Sequence, residues 1–241
     1  MVIFMSSGII SESVIKRLPR YYRFLGELER NGTIRISSRE LSQRMGFTAS
    51  QIRQDLNCFG GFGQQGYGYN VNYLYAKICE ILGVGAGLTA IVIGVGDLGR
   101  ALVRSSMFEK RGVDIIGLFD IAPNIVDTQF GSLTVAHMDT LAEFCKHNQV
   151  DFAVLTLPKN AVLEVSEQLM DLGVRGLWNF TGAELPFRDD SMIVENVHLG
   201  DSLMILNYKI ASRYENRTES ERDELTSSED SISDLSETPN E

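Results

Sequence analysis

Gly94-Val95-Gly96-Asp97-Leu98-Gly99 sets three glycines at G-x-G-x-x-G spacing, directly after the apolar run Leu88 to Ile93 and before the helix-like stretch Arg100 to Phe108. In a strand-turn-helix setting the first glycine permits a tight turn, the second lets a pyrophosphate approach the backbone, and the third lets helix pack closely on strand. Val95, Asp97 and Leu98 then contribute backbone N–H groups, and the helix start adds a partial positive charge. A second apolar run, Val113 to Phe119, ends in Asp120, 21 residues beyond Gly99. A carboxylate there accepts bonds from the 2′ and 3′ hydroxyls of a ribose and repels a 2′-phosphate, so the expected cofactor is NAD+/NADH rather than its phosphorylated form. Pro158 and Asn179 follow later apolar runs, at strand ends where ligands bind in doubly wound sheets, and are expected on the nicotinamide side.

A second constellation lies nearer the N-terminus. Thr48-Ala49-Ser50-Gln51 is a capping pattern that opens a helix with Ile52 and Leu56 inward and Gln51, Arg53 and Gln54 outward. Arginine reads guanine and glutamine reads adenine through paired hydrogen bonds in the major groove of DNA, so Ser50, Gln51, Arg53 and Gln54 are candidate DNA contacts, with Arg53 foremost. A glycine- and aromatic-rich segment, Gly60 to Val71, suits a β-hairpin wing carrying Gln64, Gln65 and Tyr67 as further candidates. Arg20, Arg23, Arg39 and Arg44 suit either phosphate contact or exposed helix faces.

The elements that must carry these residues follow from periodicity. A helix is expected over about 13–30, interrupted near Leu18 by Pro19. Thr33 to Ile36 is extended, and Ser37-Ser38-Arg39-Glu40 is a capping box for a short helix ending at Gly46. Two short helices joined by a tight turn make a helix-turn-helix. Tyr73 to Leu82 reads as a connecting helix. Beyond Asp120 come a helix near Asp139 to His147, a strand Phe152 to Leu157, a helix Ala161 to Leu172 and a strand Gly176 to Phe180, an alternation that makes a doubly wound α/β sheet. The expected domains are therefore 1–80, a winged-helix DNA-binding domain with its connecting helix, and 81–197, a Rossmann domain. Residues 198–214 form a terminal helix with an apolar face, and the Ser-, Glu- and Asp-rich stretch 215–241 is an acidic disordered tail.

Composition narrows the function classes. The 241 residues carry a net charge of −10, a poor match for phosphate binding taken as a whole. The distribution changes that: residues 1–80 hold 10 basic and 6 acidic side chains, 81–214 hold 10 and 16, and 215–241 hold 2 and 10. The basic excess coincides with the helix-turn-helix. No apolar run reaches the roughly 20 residues of a membrane span, and Met1 to Met5 lacks the flanks of a secretory signal, so a cytoplasmic protein without membrane contact is expected. Cys58, Cys79 and Cys145 are odd in number and lack metal-type spacing, which argues against disulfides and metal and for reduced, mostly buried thiols. An NAD-dependent oxidoreductase is the alternative on the same fold. It needs a proton donor and a substrate cation near the nicotinamide, and His137, His147 and His198 stand isolated, so no catalytic residue is assigned. A coenzyme A module is a third reading, opposed by the Asp120 carboxylate, which would face a ribose 3′-phosphate.

Five strings together resemble the Rex family of redox-sensing repressors: Lys16 to Arg23, Ser50 to Leu56, Phe59 to Tyr69, Gly94 to Gly99 and Val194 to Val197. The resemblance spans about residues 11–214. It implies a transcriptional repressor working as a homodimer with swapped C-terminal helices, bound to a pseudo-palindromic DNA operator when free or with NAD+ and released by NADH. It matches Arg53 to a DNA-contacting arginine, Gly94, Gly96 and Gly99 to the pyrophosphate loop, and Asp120 to the ribose carboxylate. Two departures stand out. Gln54 and Gln65 occupy places that are basic in some members. A switch network that in some members joins an arginine, a tyrosine and an aspartate here meets Arg17, Ser105 and His198, with Asp201 one turn later as a substitute carboxylate.

Overall fold

The computed structural model describes residues 10–58, 63–64, 67–187 and 192–214; the expectations for Gln65 and for the 215–241 tail lie outside these residues. The chain divides into two compact units, Met1–Leu88 with Ser105–Asp114, and Thr89–Arg104 with Ile115–Glu241. The expected boundary at 80/81 falls inside the first unit, which also takes in a short piece of the middle segment.

In the first unit, helices α1 (Glu12–Ile15) and α2 (Leu18–Arg30) are separate. Pro19 sits in the opening turn of α2, where its missing N–H would have had no helical partner. Strand β1 (Arg35–Ile36) leads to α3 (Ser38–Met45), whose capping box is complete: Glu40 N donates to Ser37 Oγ at 3.1 Å and Ser37 N donates to Glu40 Oε2 at 2.8 Å. Helix α4 (Ala49–Asn57) starts where Gln51 N donates to Thr48 Oγ1 at 3.1 Å. Strands β2 (Gly63–Gln64) and β3 (Gly68–Asn70) complete an antiparallel sheet in the order β1-β3-β2. Helix α5 (Val71–Ile81) follows, capped by Asn70. Leu18, Tyr21, Leu25, Leu41, Met45, Ile52 and Leu56 are buried together in one core. Each aliphatic side chain of this kind contributes about 1.5–3 kcal/mol on burial, so the three short helices hold by packing rather than by their own propensity.

The remaining elements are β4 (Leu88–Ile93), α6 (Asp97–Val103), β5 (Val113–Asp120), β6 (Gln129–Phe130), β7 (Leu133–His137), α7 (Leu141–His147), β8 (Phe152–Leu155), α8 (Val162–Asp171), β9 (Gly176–Asn179), β10 (Ile193–Asn196) and a last helix, α9, over 199–214. The sheet runs β10-β9-β8-β4-β5-β7-β6, with β6 antiparallel at the edge. Counted along the chain, β4, β5, β7, β8, β9 and β10 lie in the order 3-2-1-4-5-6 of a dinucleotide-binding fold, so the order reverses between β4 and β8.

Several boundaries differ from expectation. Helix α6 begins at Asp97 and stops at Val103, not at Phe108; Ser105 Oγ accepts a bond from Met107 N at 3.3 Å, a local turn that competes with helix continuation. Strands β6, β7 and β10 were not anticipated. The cysteines are free, but Cys58 is exposed and Cys79 and Cys145 are half-buried, a correction to the buried thiols expected.

Candidate dinucleotide site and nucleic-acid interface

The three glycines of the 94–99 loop have three different surroundings. Gly94 takes a left-handed φ of 87°, and a Cβ built on it would stand 2.6 Å from the Thr156 carbonyl oxygen. A Cβ on Gly99 would strike the Gly94 carbonyl, because α6 lies directly against the loop. A Cβ on Gly96 meets nothing within 4 Å. Protein contacts therefore require glycine at 94 and 99, while at 96 a side chain would meet only open space. Thr156, just beyond β8, donates through Oγ1 to the Gly94 carbonyl, and Arg100 Nε donates to the Val95 carbonyl at 2.9 Å. Neither residue was singled out from sequence.

Asp120 ends β5 and is almost fully buried. Its Oδ2 accepts from Val95 N at 2.6 Å, and its Oδ1 accepts from Ile121 N at 2.8 Å and Ala122 N at 2.9 Å. The carboxylate thus ties the glycine loop to the end of the neighbouring strand. A carboxylate offers about four acceptor sites, and these bonds take three of them. Gly94, Gly96, Asp120 and Pro158 line a cavity of about 370 Å³ at the reversal of strand order, with apolar walls that include Ile121 and Met138. Val95 is buried beneath the loop, Leu98 is half-buried and Asp97 is exposed at the start of α6.

Asn179, expected on the nicotinamide side, is not among the residues that line this cavity. Its Nδ2 donates to the Ala183 carbonyl and to Asn196 Oδ1, each at 2.7 Å, and its Oδ1 accepts from Thr181 N and Oγ1. These bonds hold the 179–183 turn. Among the described residues no histidine lines the cavity, and no group of His, Cys, Asp and Glu has the arrangement of a metal site.

In the first unit, Ser50, Arg53 and Gln54 are exposed on α4, and Gln51 is half-buried in its first turn. Arg53 Nη1 donates to Ser38 Oγ at 3.2 Å, at an exposed position. Gln64 lies in β2, and Tyr67 is exposed beside β3 with the Arg35 guanidinium 5.8 Å from its ring. Arg20 is committed within the fold: Nη2 donates to the Met45 carbonyl at 2.6 Å and the guanidinium lies over Phe47.

Asp55, which sequence inspection passed over, is fully buried on the inward side of α4. Arg17 grips it twice, Nε to Oδ2 and Nη2 to Oδ1, both at 2.7 Å; Tyr21 Oη donates to Oδ2 at 3.0 Å and Gln51 Nε2 to Oδ1 at 2.9 Å. Burial alone would raise its pKa, but the bonds from Arg17, Gln51 and Tyr21 outweigh burial and hold it below the usual carboxylate value. The signal was available: position 55 follows Ile52 by three residues and so shares the buried face.

The four switch candidates are placed as follows. Arg17 is held by Asp55 within its own unit. Ser105 closes the turn after α6. His198 Nε2 lies 3.2 Å from Glu184 Oε1. Asp201 is exposed in the first turn of α9.

Residues 9–57 match the family model described as a putative DNA-binding protein N-terminus, and residues 88–183 match that of a CoA binding domain. A redox-sensing transcriptional repressor Rex from Caldicellulosiruptor saccharolyticus is 48% identical over 201 residues, covering 83% of this chain and 91% of the relative. The protein of the same name from Clostridium botulinum is 47% identical, covering 83% and 95%. Among solved structures, RSP in complex with β-NAD+ and operator DNA is similar with a TM-score of 0.80 and 44% identity, covering 88% of this chain and 97% of that one. RSP in complex with β-NADH gives a TM-score of 0.80 at 41% identity, covering 88% and 99%. With identity of this order along four-fifths of its length, over both the helical unit and the glycine-loop unit, this chain belongs to the Rex family of redox-sensing transcriptional repressors.

Proposed function

We propose that this protein is a cytoplasmic, homodimeric repressor that binds a pseudo-palindromic operator when free or with NAD+ and leaves it when NADH binds. The observation that carries the reading is the pairing, in one chain, of an exposed polar face on α4 with a glycine loop whose central glycine faces open space beside Asp120. Gly96 and its neighbours would hold the pyrophosphate, Asp120 a ribose hydroxyl and the apolar cavity a further part of the dinucleotide. The ligand itself supplies only the redox state to be read. Ser50, Gln51, Arg53, Gln54 and the wing residues Gln64, Gln65 and Tyr67 would meet DNA.

Dimerisation is supported by α9, where Leu199, Leu203, Leu206 and Ile210 recur at helical spacing and are all exposed in the single chain. No helix among the described residues is long and apolar enough to cross a membrane. The curated relatives are named transcriptional repressors, which favours this reading over the oxidoreductase alternative. The test is a gel-retardation titration on genomic fragments with and without NADH. Release of DNA by NADH but not by NADPH is the expected result; DNA retained at saturating NADH overturns the reading.

A further inference from the structure

Asp55 presents a problem that stability does not solve. A fully buried carboxylate is costly to desolvate, and replacing a buried ion pair by apolar side chains of similar volume is often neutral or stabilising. The four bonds it accepts, two from Arg17 and one each from Tyr21 and Gln51, fill all its acceptor sites. Three of those bonds join α4 to α2 and to the turn before it. The fourth runs to Gln51, four residues away on the same helix, whose half-buried side chain stands in the first turn of α4.

The chemistry of that fourth bond settles which way round the Gln51 amide lies. The carboxyl is charged at neutral pH, since its proton affinity is lowered despite burial. A carboxylate only accepts, so the NH2 end of Gln51 must face it. That leaves Gln51 with one N–H and the carbonyl oxygen Oε1. One donor beside one acceptor is the pair that matches N7 and the N6 amino group of adenine in the major groove.

We propose that Asp55 is a positioning residue that presets the Gln51 amide for adenine, so that the buried carboxylate sets sequence preference at one base pair in each half-site without touching DNA. Arg17 shares the same two oxygens, so its engagement bears on how firmly Gln51 is held. The proposal rests on the reading of α4 as the DNA-contacting helix. Holding a long side chain in its bound rotamer beforehand is worth roughly 2- to 12-fold in affinity, and that factor applies only to duplexes offering adenine at the base pair Gln51 meets.

The experiment is a double-mutant cycle on the full chain. Wild type, Asp55→Asn, Gln51→Ala and the double variant are titrated against an operator and a panel of duplexes, each with one base pair changed symmetrically in both half-sites. The expected result is that Asp55→Asn lowers discrimination about fivefold at a single A·T pair, and that in the Gln51→Ala background it changes nothing at that pair. A uniform loss across all duplexes, or an effect at that pair that persists without Gln51, overturns the proposal. Should Asp55→Asn fail to fold, Asp55→Leu with Tyr21→Phe removes the carboxylate and the buried hydroxyl together and serves in the same cycle with the same expected outcome. A wild type that binds duplex DNA with no preference overturns the DNA-recognition reading as well; one that discriminates while the cycle is additive overturns the proposal alone.

Discussion

Replacing Gly96 by alanine separates the demands of the protein from those of its ligand. Gly96 has φ −70° and ψ −163°, angles any residue adopts, and its Cβ would meet no protein atom within 4 Å. As the residue preceding α6, alanine costs a few tenths to about 1.5 kcal/mol relative to glycine. The smaller conformational entropy of the unfolded chain returns about 0.4–1 kcal/mol. The net change is within about 1 kcal/mol, a melting shift of at most roughly 4 °C for a chain of this size. Gly94→Ala is the control. Its left-handed φ alone costs about 1–2 kcal/mol, and the Thr156 carbonyl 2.6 Å from the new Cβ forces the backbone to move. A melting temperature lower by at least about 4–8 °C follows for a loss of roughly 2 kcal/mol.

NADH binding reverses the emphasis. A methyl group at 96 holds the pyrophosphate off the loop, and each charge-assisted hydrogen bond lost is worth about 1.5–3 kcal/mol, or roughly 10- to 150-fold in affinity. Thermal melts of the ligand-free variants and calorimetric titration with NADH give both quantities. An unchanged NADH affinity in Gly96→Ala, or a melting temperature as low as that of Gly94→Ala, would refute the assignment of this space to the cofactor.

Arg53→Ala should weaken operator binding by about 1–3 kcal/mol, the worth of one bidentate base contact, and leave NADH affinity unchanged; equal operator affinity removes Arg53 from the interface. Asp120→Ala should weaken NADH binding and let NADPH compete, and because it also releases Val95, Ile121 and Ala122 N–H groups it should lower the melting temperature. NADH affinity measured with and without saturating operator at one salt concentration should differ by the factor by which NADH weakens DNA binding, about 2.7 kcal/mol if that factor is 100; equality abolishes the switch. The folded pKa of Asp55 lies below its unfolded value of 3.8, so the stability it contributes is complete above that value and is lost as pH falls through the folded one. Chemical denaturation should therefore show a constant gap between wild type and Asp55→Asn from about pH 5 to 8 that closes only under stronger acid; a gap that closes near neutrality contradicts the sign.

Local chemistry was legible in the sequence where one residue type has one use. Ser37 with Glu40 specified a capping box, the glycine spacing specified the loop, and Asp120 stands where a carboxylate was expected. Legibility failed where short elements depend on neighbours. Strands β6 and β7 pair with each other and β10 lies at a sheet edge, and none carries a long apolar run. Asn179 was placed by its position at a strand end, yet its side chain is consumed by the 179–183 turn, a competition that only three-dimensional placement reveals. Asp55 was missed for a different reason: an acidic residue in a polar helix reads as solvated unless its phase relative to Ile52 and Leu56 is followed through.

Helix α9 makes the fold a matter of dose. Its residues are exposed almost throughout in the single chain, and a helix of this length stands near the limit at which isolated helices persist in water. In a dimer that buries the Leu199, Leu203, Leu206 and Ile210 face, ordering of this segment is a second-order process, and its free energy grows with the logarithm of protomer concentration. The melting temperature then rises with protein concentration, and dilution alone loosens the C-terminal segment with every residue unchanged. A cell that makes few copies would hold part of its pool as single chains with one recognition helix each, and a two-fold operator responds to the square of the chain concentration rather than to the concentration itself.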